Sequence, residues 1–177
     1  MQVFLTNEDL RISAMELDDL RLNKQITEIN QILLTYINNG GGHANHPINI
    51  KYKSSQGIYF LLQYLYQLCD EYYERNKKHH MGYFTLCGMC DEFLDGESNK
   101  NHILYKDTFG DNPTFQPLYI KGQKGKDQII TTDNVYERYR ELLTDKWNND
   151  IKEPKWTHIK CPKWYENDFN NTWLHTK

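Results

Sequence analysis

Long apolar runs, a cysteine framework and a strong excess of one charge are all missing from this chain of 177 residues. No stretch approaches the ~18 to 20 consecutive apolar residues that a membrane span needs. The opening MQVFLTNEDL has neither a basic n-region nor an apolar h-region, so membrane-spanning and exported classes are excluded and a cytoplasmic protein is expected. Four Cys do not make a disulfide scaffold at this length, and without an export signal the thiols are expected to stay reduced. A formal charge of -3 argues against a protein that coats nucleic acid by bulk electrostatics. Hydrophobic residues reach only 38% and mean hydropathy is -0.82, so the core must draw on 13 Tyr, 7 Phe and 4 Trp, buried with their polar tips satisfied. The length suits one domain and is short for two.

The pattern is mainly helical. Asn7 is placed to cap a short helix that stops near Met15 to Leu17, with Glu8 and Asp9 in its first turn. From Asp18 to Asn38, Leu22, Ile26, Ile29, Leu33 and Ile37 alternate in steps of four and three, which makes one apolar stripe along a helix of five or six turns. Gly40, Gly41 and Gly42 end it. A loop with His43, Asn45, His46 and Pro47 follows, and Ser54 or Ser55 caps a second long helix carrying Ile58, Leu61, Leu62, Leu65, Leu68, Cys69 and Tyr72. Residues 79–94 are read as helix, although Tyr83 to Leu86 also suits a strand. A polar, turn-rich stretch leads to residues 113–132, where two short apolar runs flank Lys121 to Lys126 and predict a β-hairpin or a basic loop. Asp133 is placed to cap a third strong helix with Val135, Tyr139, Leu142, Leu143 and Trp147 on one face. The expected architecture is a compact single-domain helical bundle, its core at about 7–94 and 133–149, with an aromatic and basic tail over 154–177.

Charge is unevenly distributed. Residues 1–116 carry a net -5 and residues 117–165 a net +3, so a polyanion should prefer the C-terminal third. There Trp147, Trp156, Trp164 and Tyr165 alternate with Lys146, Lys152, Lys155, Lys160 and Lys163, the mixture that stacks on bases while holding phosphates. The plainer reading is that these rings anchor an irregular tail to the core. Cys87-x-x-Cys90 and His158-x-x-Cys161 could supply four zinc ligands, against the plainer alternative of core cysteines; the main reading assigns no metal and no cofactor.

On the first long helix, Arg21, Lys24, Gln25 and Glu28 are i, i+3 and i, i+4 neighbours beside the apolar stripe. Such a patch serves either as a phosphate-binding and catalytic face or as a solvated ion-pair ladder. In both cases its charges are expected at the surface, where their removal hardly affects folding. Asp18, one turn before Leu22, is either a helix cap or a carboxylate kept ionised by the helix dipole. His46 could bond a phosphate or base, or serve backbone groups nearby.

The run Leu17-Asp18, Arg21-Leu22, Lys24-Gln25, Glu28 and Gln31-Ile32-Leu33, then Asn45-His46-Pro47 before Leu68-Cys69-Asp70-Glu71-Tyr72, resembles bacterial and phage pyrimidine-dimer DNA glycosylases of the endonuclease V type. The opening Met1 to Leu5 is similar too. So is the order Tyr139-Arg140, Leu142-Leu143, Lys146-Trp147, Pro154, Trp156-Thr157, Pro162 and Tyr165, which is like the C-terminal region of phage members.

The resemblance implies a helical DNA-repair fold acting on damaged or distorted duplex, in the host cytoplasm if the protein is phage-encoded. It implies an amine that attacks the sugar C1′, a carboxylate on the first long helix, and an aromatic-basic wedge. In the characterised phage type the amine is exposed by removal of the initiator Met. Here Gln2 is large, so Met1 is expected to be retained and to offer its own α-amine. Arg21 falls near the place of the family's Glu, and Glu28 lies two turns further on.

The reading is therefore a glycosylase and lyase for damaged or modified pyrimidines working through an amine Schiff base. Met1 is the candidate amine, and Asp18 or Glu28 the carboxylate. Arg21, Lys24, Gln25 and His46 are placed on phosphates or bases, and Lys163, Trp164 and Tyr165 at the wedge. The alternative is a non-catalytic phage protein that binds nucleic acid or a nucleotide with the same face.

Overall fold

In the computed structural model the described residues are 2–38, 40–41, 44–94, 119–123, 126–130, 134–158 and 161–165. Helices α1 (Leu10–Glu16), α2 (Asp19–Ile37), α3 (Pro47–Tyr52), α4 (Ser55–Asn76), α5 (Met81–Leu94) and α6 (Val135–Asn149) dominate. Strands β1 (Tyr119–Gln123) and β2 (Lys126–Ile130) pair antiparallel, with Tyr119 opposite Ile130 and Gln123 opposite Lys126. The fold is mainly α, and the described residues on either side of the basic stretch pair as two strands.

The stripe on α2 goes where its periodicity sends it. Leu22, Ile26, Ile29 and Leu33 are fully or almost fully buried and join Leu61, Leu65 and Leu68 of α4 in one core. α5 closes on α2 at Gly82, where a Cβ would meet Asn30 Nδ2 at 2.2 Å and Ile26 at 2.5 Å, so only glycine lets the backbones approach this closely. Gly57 has the same function at α3, because a Cβ there would meet the Tyr52 carbonyl oxygen at 2.5 Å.

Helix starts differ from the expectation by small steps. Asp9, not Asn7, caps α1, accepting from the N–H groups of Arg11 and Ile12; Asn7 instead accepts from Asp9 N–H. Asn134 caps α6 by accepting from Glu137 N–H. Asp133 lies outside the described residues. The loop before the second long helix holds one further short helix, α3, with Pro47 at its start and His46 as its cap. Six residues are too few for periodicity to reveal them.

Residues 2–5 have no regular secondary structure and residue 6 lies in a bend, and Val3, Phe4 and Leu5 are buried among the helices. Burial of three such side chains contributes about 1.5 to 3 kcal/mol each. Their backbone still needs partners, and helix side chains supply them. Gln25 and Glu28 of α2 serve residues 2 and 4, the Tyr64 hydroxyl donates to the Phe4 carbonyl at 2.6 Å, and Ser13 Oγ accepts from Thr6 N–H at 2.8 Å.

Candidate functional site

The edge of α2 that carries Arg21, Gln25 and Glu28 faces the N-terminal segment and the C-terminal third, and each side chain there has a different task. Gln25 is buried: its Oε1 accepts from Phe4 N–H at 2.9 Å, and its Nε2 donates to the Gln2 carbonyl at 2.9 Å. One turn on, Glu28 Oε2 accepts from Gln2 N–H at 3.0 Å, and its other oxygen lies 3.8 Å from Lys24 Nζ. Lys24 is 66% exposed, so it can reach an anion in solvent while standing beside that carboxylate. Glu28 thus stands at the peptide nitrogen that follows residue 1. Met1 itself lies outside the described residues.

Asp18 has the opposite surroundings. It is 2% exposed and occupies the N-cap position of α2, yet its carboxylate caps nothing. Oδ1 accepts from the Trp147 indole N–H at 2.8 Å, and Oδ2 pairs with Arg21 Nη1 at 3.3 Å. The second guanidinium nitrogen of Arg21 is paired with Asp150. A buried carboxylate satisfied by an indole and a guanidinium fastens α6 to the start of α2. The expected surface patch is therefore corrected for Arg21 and Gln25: both are spent inside the molecule, and of the four residues only Lys24 remains open to a phosphate.

A second ionic hub follows the same logic. The Arg75 side chain is fully buried, pairing with Glu71 at 2.7 Å and Asp19 at 2.9 Å and donating to the Leu17 and Met15 carbonyls, the last carbonyls around the end of α1. Sequence reading missed it, although Glu71 and Arg75 stand at i, i+4 and Arg at such a spacing is a detectable signal.

The tail aromatics gather on Trp147. Trp164 stacks on it at 5.4 Å and 21°, Tyr165 meets it edge-on at 4.7 Å, and Trp156 packs at 5.2 Å while donating its indole N–H to the Glu16 carbonyl. Tyr165 is buried, and burial raises its hydroxyl pKa. The anchoring reading describes these contacts. Of the three wedge candidates, Lys163 is exposed, Trp164 is half-buried under Arg140 and Tyr165 is buried. His46 accepts from Ile48 N–H through Nδ1 at 3.3 Å, serving the start of α3.

The described cysteine and histidine candidates each have other neighbours. Cys87 is exposed on α5, and its neighbour in space is Cys69, whose thiol burial and Cys87 together push up to about 12. His158 bonds Glu71 at 3.3 Å, while the Cys161 thiol meets the Pro162 carbonyl. The side chain of Cys90 lies outside the described residues. Among the described residues, no three His, Cys, Asp or Glu side chains gather to hold a metal.

Glu28 is thus a carboxylate of the first long helix in contact with the backbone at Gln2. Residues 1–85 match the family model of the pyrimidine dimer DNA glycosylases. The match runs from the N-terminal segment into α5 and takes in Asp18, Arg21, Lys24, Gln25, Glu28 and His46, while the tail lies beyond it. No curated protein and no solved structure matches the chain. Among the described residues, no helix is long and apolar enough to cross a membrane.

Proposed function

We propose that this protein is a DNA glycosylase with associated lyase activity on damaged or modified pyrimidines, with Glu28 as its carboxylate and the α-amine at Met1 as its nucleophile. The observation that carries the proposal is the 3.0 Å hydrogen bond from Gln2 N–H to Glu28. Gln2 is joined to residue 1 by one peptide bond, so an α-amine on Met1 is covalently next to the nitrogen that Glu28 holds, and loss of Met1 would put the amine on that nitrogen itself. Asp18, shielded by Trp147 and Arg21, leaves Glu28 as the better-placed of the two carboxylates.

An α-amine has an ordinary pKa near ~7.7 to 8, and a carboxylate beside it favours the ammonium form, so the neutral, attacking fraction is small at pH 7 and grows as pH rises. Its lone pair attacks C1′ as the bond from C1′ to the base nitrogen breaks, and the base departs with that electron pair and a proton. The attacking nitrogen gives up one proton, the C1′–O4′ bond opens as O4′ takes a proton, and the resulting ring-opened iminium acidifies C2′. A carboxylate then removes the C2′ proton, and the C3′–O bond breaks to release the phosphate.

Borohydride trapping on duplexes with an abasic site or a pyrimidine dimer tests the proposal. A covalent adduct on the peptide that begins at Met1 is expected. Glu28→Gln should keep DNA affinity and lose about 10²-fold or more in turnover, the usual weight of a general acid or base. Intact DNA binding without any adduct would refute the enzyme and favour a non-catalytic binder.

A further inference from the structure

We infer that Gln25 is a positioning residue for the chain's α-amine, an assignment that rests on the Schiff-base reading above. Its carboxamide is buried and bonds the backbone at two points, Phe4 N–H and the Gln2 carbonyl, both at 2.9 Å. That is the pattern a neighbouring β-strand would offer, made here by one side chain. Tyr64 holds the Phe4 carbonyl and Glu28 the Gln2 N–H, so both backbone polar groups of residues 2 and 4 are fixed from the helices.

A leucine or methionine at position 25 would extend the apolar stripe equally well. The amide adds direction: it fixes the line along which the chain leaves Gln2. Nucleophilic attack needs reacting atoms ~3 to 3.5 Å apart and aligned, and a displacement of about 1 Å can cost 10²-fold in rate. Gln25 never touches substrate in this account. It acts through the backbone of residues 2 to 4, fixing the line along which the chain reaches residue 1.

Two variants and two readouts test the inference. Gln25→Met keeps the length and removes both hydrogen bonds; Gln25→Glu keeps an acceptor for Phe4 N–H and loses the donor to Gln2. The first readout is the single-turnover rate of borohydride trapping on an abasic duplex, set beside DNA affinity. The second, on DNA-free protein, is the pH midpoint of α-amine acylation. The charged groups described near this segment are Glu28 and Lys24 on α2 and Lys146 of α6, 6.0 Å from the Phe4 ring.

In the parent, Glu28 should hold the amine protonated to higher pH than a free terminus. Gln25→Met should return the midpoint toward ~7.7 to 8 and slow trapping at least 30-fold while affinity stays within about twofold. Gln25→Glu should slow trapping too, with the midpoint moved further up by the second carboxylate, and it decides the matter should Gln25→Met fail to fold. Parent-like trapping and midpoint in a folded variant would overturn the inference and leave the glycosylase reading intact. A parent that gives no adduct, but whose midpoint shifts in Gln25→Met, would refute the glycosylase and uphold the positioning.

Discussion

Asp18 and Glu28 are ten positions apart on one helix edge and have opposite surroundings. Sequence could nominate both carboxylates but not choose, because the deciding partners are remote: the Trp147 indole for one and the Gln2 N–H for the other. The same remoteness hid the fate of Arg21, which reads as a surface cation and is buried between Asp18 and Asp150. Removing one partner of a buried pair leaves a charge uncompensated, and typical costs are about 3 to 5 kcal/mol. Arg21→Gln is therefore expected to lower stability by roughly 3 kcal/mol in urea unfolding, whereas Lys24→Gln should change it by less than about 1 kcal/mol. Equal, small effects would mean that Arg21 is solvated after all. Trp147→Phe keeps most of the ring packing and deletes one hydrogen bond to a charged group, so a loss of about 1.5 to 3 kcal/mol is expected.

At the scale of elements, α2, α4 and α6 were legible because an apolar stripe of 3.6-residue period records its own burial. The N-terminal segment was not, since its backbone partners are side chains 7 to 60 residues away rather than a strand. The turn between α4 and α5 was equally hidden. There His80 accepts from Gly82 N–H through Nδ1 at 2.8 Å, shares a hydrogen bond with Asn23 at 2.9 Å, and sits edge-on to Tyr72. Burial lowers its pKa below the ordinary ~6.5. The unfolded chain then binds the proton more readily, so His80 contributes stability above about pH 6.5 that is lost as pH falls toward its folded pKa. Melting temperatures from pH 7.5 to 5 should fall more steeply for the parent than for His80→Asn. Parallel curves would remove His80 from the account. Nearby, Gly82→Ala should cost about 1 to 3 kcal/mol by overpacking α5 against Ile26 and Asn30.

For the molecule as a whole, the C-terminal third is tied to the end of α1 by Trp156 on the Glu16 carbonyl, and to the start of α2 by the Lys155 carbonyl on Asp19 N–H at 2.8 Å and by Trp147 on Asp18. Trp147, Trp156, Trp164 and Tyr165, which the sequence offers as stacking rings, pack on one another here. Lys152, Lys155 and Lys163 are exposed, and Lys24 stands on the α2 edge beside Glu28. A protein of net charge -3 can bind a polyanion only where such cations are concentrated. Each phosphate contact releases counterions and adds about 0.9 to the slope of log affinity against log salt. Replacing Lys152, Lys155 and Lys163 together by Gln should therefore flatten that slope by nearly three units on duplex DNA if all three meet phosphates, with unfolding unchanged within about 1 kcal/mol. Lys24→Gln should remove one further unit and, because that lysine neighbours the carboxylate, should also alter turnover. A slope unchanged in the triple variant would show that DNA approaches from another side of the molecule, and would separate the lysines of the tail from the edge that holds Glu28.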